Sequence, residues 1–386
     1  MSKASKKSAP QQNKQSLKKN EKSHGALLIF VNPHSGQGKS LDTFNNKVAP
    51  KLDQNNIRYE LIITDGPNHA RTVLMEKGDL GTFNGLLILS GDGLVFEAVN
   101  GILGRDDAMQ ILKSLPIAIV PSGSGNGLLC SVLSKYGTEM NPKAVMERAL
   151  EIATSSSAKA ESVALYSVKT EKENYGSFLS IGWGLMADID IESEKWRKSL
   201  GSFRFTAMGV VRSIVLRSYK GRLTYRLYEP NDYQPKSNKF DVYENSTQER
   251  IEKGNNLKTW ELHENSAGEE IVVEDVFLNV YAVTLSHIAA DGPYAPSAQL
   301  EDNRIHLSYV LLKDIGTRID VARYLLAIEH QKHLNMAFLK TVEVSSFKLE
   351  VLDNSSYIVL DGEKVDTKTI EVQSTRNTIS VFSSTD

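Results

Sequence analysis

A single cysteine, Cys130, stands among 386 residues, so no disulfide framework can hold this chain, and a reducing compartment is the expected setting. An apolar run of about 18 residues is missing, as is an export leader, and the chain is therefore expected neither to span a membrane nor to be secreted. The sequons at Asn245 and Asn354 are accordingly read as chance. Charge of one sign is lacking too: 45 Lys and Arg against 47 Asp and Glu leave a net charge of −2, which gives nucleic acid no global attraction. What remains is an ordinary globular composition, 40% apolar and 24% charged, in a chain too long for one comfortable core. Two domains are the expectation.

The first 24 residues carry seven lysines against one acid, Glu21, and almost nothing apolar. They are expected to be a disordered basic tail, either simply solvated or drawn to anionic lipid headgroups. Residues 230–273 are polar, charged and turn-rich, and are expected to be a disordered insertion.

Residues 86–101, LLILSGDGLVFEAVNG, organise the rest. Leu86 to Leu89 reads as a buried strand, Ser90-Gly91-Asp92-Gly93 ends it, and the apolar spacing from Leu94 onward is helical. A strand, a glycine turn and a helix leave backbone N–H groups free to hold phosphate. Asp92 would repel a bare anion, so it reads as a proton acceptor or a metal ligand, against the plain alternative that it only serves a turn.

Three further strands end in small polar turns: 26–31 before Asn32-Pro33-His34-Ser35, 59–64 before Asp65-Gly66-Pro67-Asn68-His69, and 115–120 before Pro121-Ser122-Gly123-Ser124-Gly125. Gly38-Lys39-Ser40 is not a Walker A loop, because the required glycine is Pro33, and the dinucleotide fingerprint fails at Leu128. Four such turns imply a parallel α/β sheet with a nucleotide at its carboxyl edge.

In this order and spacing, NPHSGQGKS, NHA, SGDGLVFEAVNG and PSGSGN resemble the diacylglycerol-kinase catalytic domain, and GWGLMADIDIESEKWRKSLGSFRFTAMG and Val359-Leu360-Asp361-Gly362-Glu363 resemble the sphingosine kinases within that superfamily. The resemblance implies a Rossmann-like α/β nucleotide domain over 25–157, packed on an antiparallel β-sandwich lipid domain over 158–386, with the active site in the cleft. The strand-like alternation at 160–185 and the β-rich runs from 276 onward agree with this.

By the same resemblance, the chain is expected to transfer the γ-phosphoryl group of ATP to the primary hydroxyl of sphingosine or a related base, with Mg²⁺ bridging the phosphates. Asp92 would be catalytic, with Asp92 or Glu97 as candidate metal ligands. ATP would be held by Asn32, Pro33, His34, Thr64, Asp65, Gly66, Pro67, Asn68, Glu97, Gly123, Ser124, Gly125, Arg197, Arg204, Asp361, Gly362 and Glu363. Ser90, Gly91, Asp92, Gly93, Ser180 and Asp190 would hold the lipid head, Asp190 meeting the ammonium. The 207–215 helix, through Met208, Val210 and Val211 with basic neighbours, would touch a membrane from the cytoplasm, and a homodimer is allowed. Residues 324–338 are expected to form one amphipathic helix whose apolar face lines an acyl pocket. A neutral-lipid kinase or NAD kinase of the same fold, and a non-catalytic lipid-binding protein, are the alternatives.

Overall fold

The computed structural model describes residues 25–35, 38–123, 125–201, 203–229, 270–353 and 356–385. The expected disorder of 1–24, nearly all of the 230–273 insertion, and the expected contact at Ser124 lie outside these residues.

Strands β1 (Ala26–Val31), β2 (Tyr59–Ile63), β3 (Phe83–Ser90) and β4 (Ile117–Pro121) are parallel in the order β4-β3-β1-β2. β1, β3 and β4 are almost wholly buried, as unbroken apolar runs covered on both faces must be, and all four sequence turns sit at the carboxyl edge as expected. Helix Asp92–Leu103 rises directly from β3. The helical stretch from Ser40 to Gln54 contains a wider turn at Phe44–Val48, next to Pro50, which lacks the N–H that a regular helix would use.

The remaining strands pair antiparallel with one another: β5 (Lys159–Thr170), β6 (Asn174–Ser177), β7 (Ser180–Gly184), β8 (Tyr219–Leu227), β9 (Glu270–Val283), β10 (Ile305–Leu311), β11 (Lys340–Val351), β12 (Ile358–Leu360), β13 (Glu363–Val365) and β14 (Thr369–Ser384). The last four positions of the expected insertion, 270–273, are the start of β9. The two layers of this half are not separate sheets. The first half of β9 pairs with β8 and its second half with β7 and β10, while β11 passes in the same way from β10 to β8 and β14. β14 also bridges to β4 at Val381 and Ile117, so the described strands join into one 14-stranded sheet.

Trp183 on β7 is fully buried between Tyr219 and Phe277, with ring centroids 5.7 and 5.6 Å away. Gly221 gives it room, since a Cβ there would lie 2.6 Å from the indole. The single helix expected over 324–338 is instead two pieces, Arg318–Ala327 and a short turn at Lys332–Asn335, separated where Gln331 takes φ 59°. The first piece opens with a capping box between Thr317 and Asp320.

Trp183→Ala should lower stability by about 3–5 kcal/mol, the cost of emptying a large aromatic site in a core that cannot collapse. Urea unfolding followed by circular dichroism would measure it, and a loss near zero would mean that the two layers repack freely.

Candidate active site

The turn after β3 and the turn after β4 are pressed together backbone to backbone. A Cβ on Gly91 would lie 2.4 Å from the Gly125 carbonyl oxygen, and one on Gly123 would lie 2.9 Å from Gly91 N. Gly93 faces Glu363, whose Oε1 would be 2.2 Å from an added Cβ. These glycines are therefore required by the packing of the loops on one another and on the 361–363 turn. Gly125 is the open one, with only Asp92 Oδ2 near its vacant position, at 3.8 Å.

This packing aims Asp92 at the amino end of helix Gly127–Lys135. Its Oδ2 accepts from Gly127 N at 2.6 Å and its Oδ1 from Leu128 N at 3.2 Å. Burial raises its pKa to about 7 in spite of these two hydrogen bonds, and the nearby charges of Asp361 and Asp190 push it the same way. A carboxyl near neutrality, already turned toward an open cavity, suits a group that takes up one proton and gives it away.

Other acids face the same space, among them Asp190, Asp361, Glu363 and Glu97. Burial also raises Asp190 and Asp361 to about 6 and Glu363 to about 7, the last two opposed or helped by their own neighbours. Glu363 is exposed as a residue, while its carboxylate lies against Gly93. Glu97 points at the first backbone N–H groups of helix His69–Glu76; burial raises its pKa, those donors lower it, and its Oε2 has no hydrogen-bond partner.

Asp361 is buried and its carboxylate is committed. It accepts from Ser177 Oγ at 2.8 Å and from Phe178, Leu179 and Ser180 N at 3.0, 3.0 and 2.9 Å, so it shapes the turn that presents Ser180. Arg204 is likewise committed. It is buried against Glu194, donates to Ser193 Oγ at 2.7 Å, and lies 3.9 Å from Asp190 Oδ1. Both residues, expected on ATP, line the cavity, where Asp361 also builds the turn and Arg204 also pairs with Asp190 and Glu194. Arg197 is half-exposed, donates to Glu194 at 2.6 Å and keeps an unpartnered Nε, which leaves it the more accessible cation.

One cavity of about 390 Å³ joins Asn32, Ser90, Gly91, Asp92, Gly93, Glu97, Gly123, Gly125, Ser180, Asp190, Arg197, Arg204 and 361–363. Pro33, His34 and 64–68 are not in its wall; they stand further along the carboxyl edge, where Thr64 is buried and Asp65 pairs with His69. The wall also holds Ser35, Tyr281 and Asp291, which the sequence reading missed. Ser35 alone carried a signal, its place in the turn after β1, where Ser90 Oγ donates to its hydroxyl at 3.3 Å.

Beyond the polar end, the cavity runs between helix Phe203–Ile214 and helix Arg318–Ala327. Val210 and Leu326 line it and are also exposed outside, alongside Phe203, Val211, Ile214, Val215 and Ile319. Met208, expected at a membrane, is instead 1% exposed, and Arg212 is buried with Asp188 and Glu192. Among the described residues no helix is long and apolar enough to cross a membrane.

Residues 26–163 match the diacylglycerol kinase catalytic domain family. The chain is 65% identical to sphingosine kinase 1 of Caenorhabditis elegans, over 95% of this chain and 83% of that one, and 30% identical to human sphingosine kinase 1, over 90% and 88%. A diacylglycerol kinase structure from Bacillus anthracis shares the fold at TM-score 0.58 and 16% identity, covering 95% of this chain and 99% of that one.

Asp361→Ala should cost about 3 kcal/mol, since three buried backbone donors lose their acceptor, while Asp361→Asn, which keeps one acceptor oxygen, should cost less. Thermal unfolding of the two variants side by side tests this, and equal losses would mean that the turn at 177–180 holds itself.

Proposed function

We infer, for a chain that belongs to the sphingosine kinase family, that it is a lipid kinase transferring the γ-phosphoryl group of ATP to the primary hydroxyl of a sphingoid base. The observation that carries the assignment of roles is the shared cavity: Asp92 at its polar end, Asp190 beside it, and an apolar passage leading out between two helices. Asp92 accepts the hydroxyl proton as the oxygen attacks phosphorus. Asp190 meets the ammonium, whose positive charge offsets what burial has cost that carboxylate. Arg197 faces the transferring phosphate, for which a planar guanidinium is well shaped, and Asn32, Ser35 and Ser90 offer polar contacts at the same end.

Among the described residues no three His, Cys, Asp or Glu side chains are grouped so as to hold a metal ion. A magnesium ion carried by the nucleotide would need only one or two protein carboxylates beside the phosphates, and Asp92 and Glu97 are the candidates in the cavity wall. No step above is assigned to it.

The exposed apolar residues of helix Phe203–Ile214 and the neighbouring Ile319 and Leu326 form the mouth of the passage. Lys195 and Lys198 stand just before that helix. This pairing of apolar and basic groups supports docking on a membrane surface from which the base enters. The α/β unit of 25–157 and the β-rich unit of 158–386 remain the natural division of labour, nucleotide on one side and lipid on the other.

Labelled-ATP transfer to micellar sphingosine, with diacylglycerol in parallel, tests the reading. Sphingosine should be labelled preferentially; Asp92→Asn should lower kcat by roughly 10²–10⁴-fold, and Asp190→Asn should act mainly by raising KM about tenfold or more. Preferential labelling of diacylglycerol would discard the amine as the recognised group.

The pH dependence has a definite sign. Asp92 must be unprotonated to accept a proton, and its raised value of about 7 means that kcat/KM should climb below pH 7, more steeply below about pH 6 where Asp190 also takes up a proton, and flatten above pH 7. A profile already flat from pH 5 would mean that burial does not raise the pKa of the accepting group.

A further inference from the structure

We propose that Tyr281 is a specificity-determining residue that reads a second, secondary hydroxyl group on the long-chain base, an inference that rests on the lipid-kinase reading above. Strand register sets Tyr281 of β9 opposite Gly182 of β7 on one side and Ser308 of β10 on the other. Gly182 is the floor of its ring: a Cβ there would lie 3.2 Å from Tyr281 Cδ2 and Cε2. Tyr294 closes the other side, with ring centroids 5.1 Å apart at 74°. The ring is 9% exposed, held on both faces, and lines the cavity.

Ser180, diagonal to Tyr281 across the β7–β9 pair, lines the same cavity, as does Asp190. Burial, with the Asp190 charge acting the same way, raises the phenol's pKa and keeps it protonated. Tyr294, the next phenol along, is satisfied within the protein by Ser308 Oγ and Tyr324 OH, both at 2.8 Å. Tyr281 is thus the phenol that meets the ligand.

The order of groups on a 2-amino-1,3-diol matches this wall. The primary hydroxyl goes to Asp92, the ammonium on the next carbon to Asp190, and the secondary hydroxyl one carbon further reaches the Tyr281–Ser180 pair. That hydroxyl leaves water when the base enters, so a donor and acceptor waiting for it favours a hydroxylated base over one without the group. The discrimination expected from one neutral hydrogen bond is about three- to tenfold in kcat/KM.

The test compares a long-chain 2-amino-1,3-diol with its 3-deoxy analogue of equal length, in wild type, Tyr281→Phe and Tyr281→Leu, with a thermal melt of each. Wild type should prefer the diol about three- to tenfold. In both variants the preference should collapse to about one through a higher KM for the diol at unchanged kcat, while kcat/KM for the deoxy base stays within about twofold. A preference that persists, or an equal loss on both substrates, overturns the role of Tyr281 and leaves the kinase standing. Transfer to neither amino alcohol by wild type overturns the sphingoid-base reading and this inference with it.

Discussion

Asp92 is bound to the amino end of the helix that follows the neighbouring strand, and the rest of the site depends on that bond. A carboxylate buried among other acids would be costly on its own; two backbone N–H groups and the positive end of helix Gly127–Lys135 compensate part of the cost. The bond holds only because two glycine turns touch without side chains between them. It also joins β3 and β4 at their carboxyl ends, which fixes one wall of the cleft before any ligand arrives.

The opposite wall is built by a second set of charges. Arg204 near one end of helix Phe203–Ile214 is tied to Glu194 and Asp190, and Arg212 near the other end is tied to Asp188 and Glu192. All four acids belong to residues 188–194, so one short stretch of chain both presents Asp190 and pins the helix beside the lipid passage. Burying arginines this way gains little net stability, but it sets a definite position for a helix whose outer face is apolar and, among the described residues, exposed. Gly209 allows that helix to lie close to Leu325, where a Cβ would be 3.1 Å from the side chain.

Much of this was legible in the amino-acid order. Buried parallel strands are unbroken apolar runs, and their turns are short and polar, so the four turns and the sheet edge they share could be read from spacing alone. The fate of individual polar groups was less legible. Asp361 and Arg204 look like ligand contacts in a motif, yet backbone donors at 178–180 and acids at 190–194 claim them, and no spacing rule reports where a folded turn aims its N–H groups. Gly91, Gly93 and Gly123 read as parts of phosphate-holding turns, and their close packing could not be read from spacing. Tyr281 could not be seen at all, because a tyrosine in an alternating strand reads as core until the strand register shows Gly182 beneath it. The break at Gln331 escaped because no glycine or proline marks it.

β14 runs beside β5, β11 and β4, and so closes both the parallel and the antiparallel parts. During synthesis the α/β elements leave the ribosome first, with the edge of β4 uncovered and β5 without its longest partner until residues 369–384 have emerged. The parallel half is therefore made early and finished late. Its exposed edge is the point at which a nascent chain needs protection, and a ribosome stalled before β14 would release a sheet open to pairing with another chain.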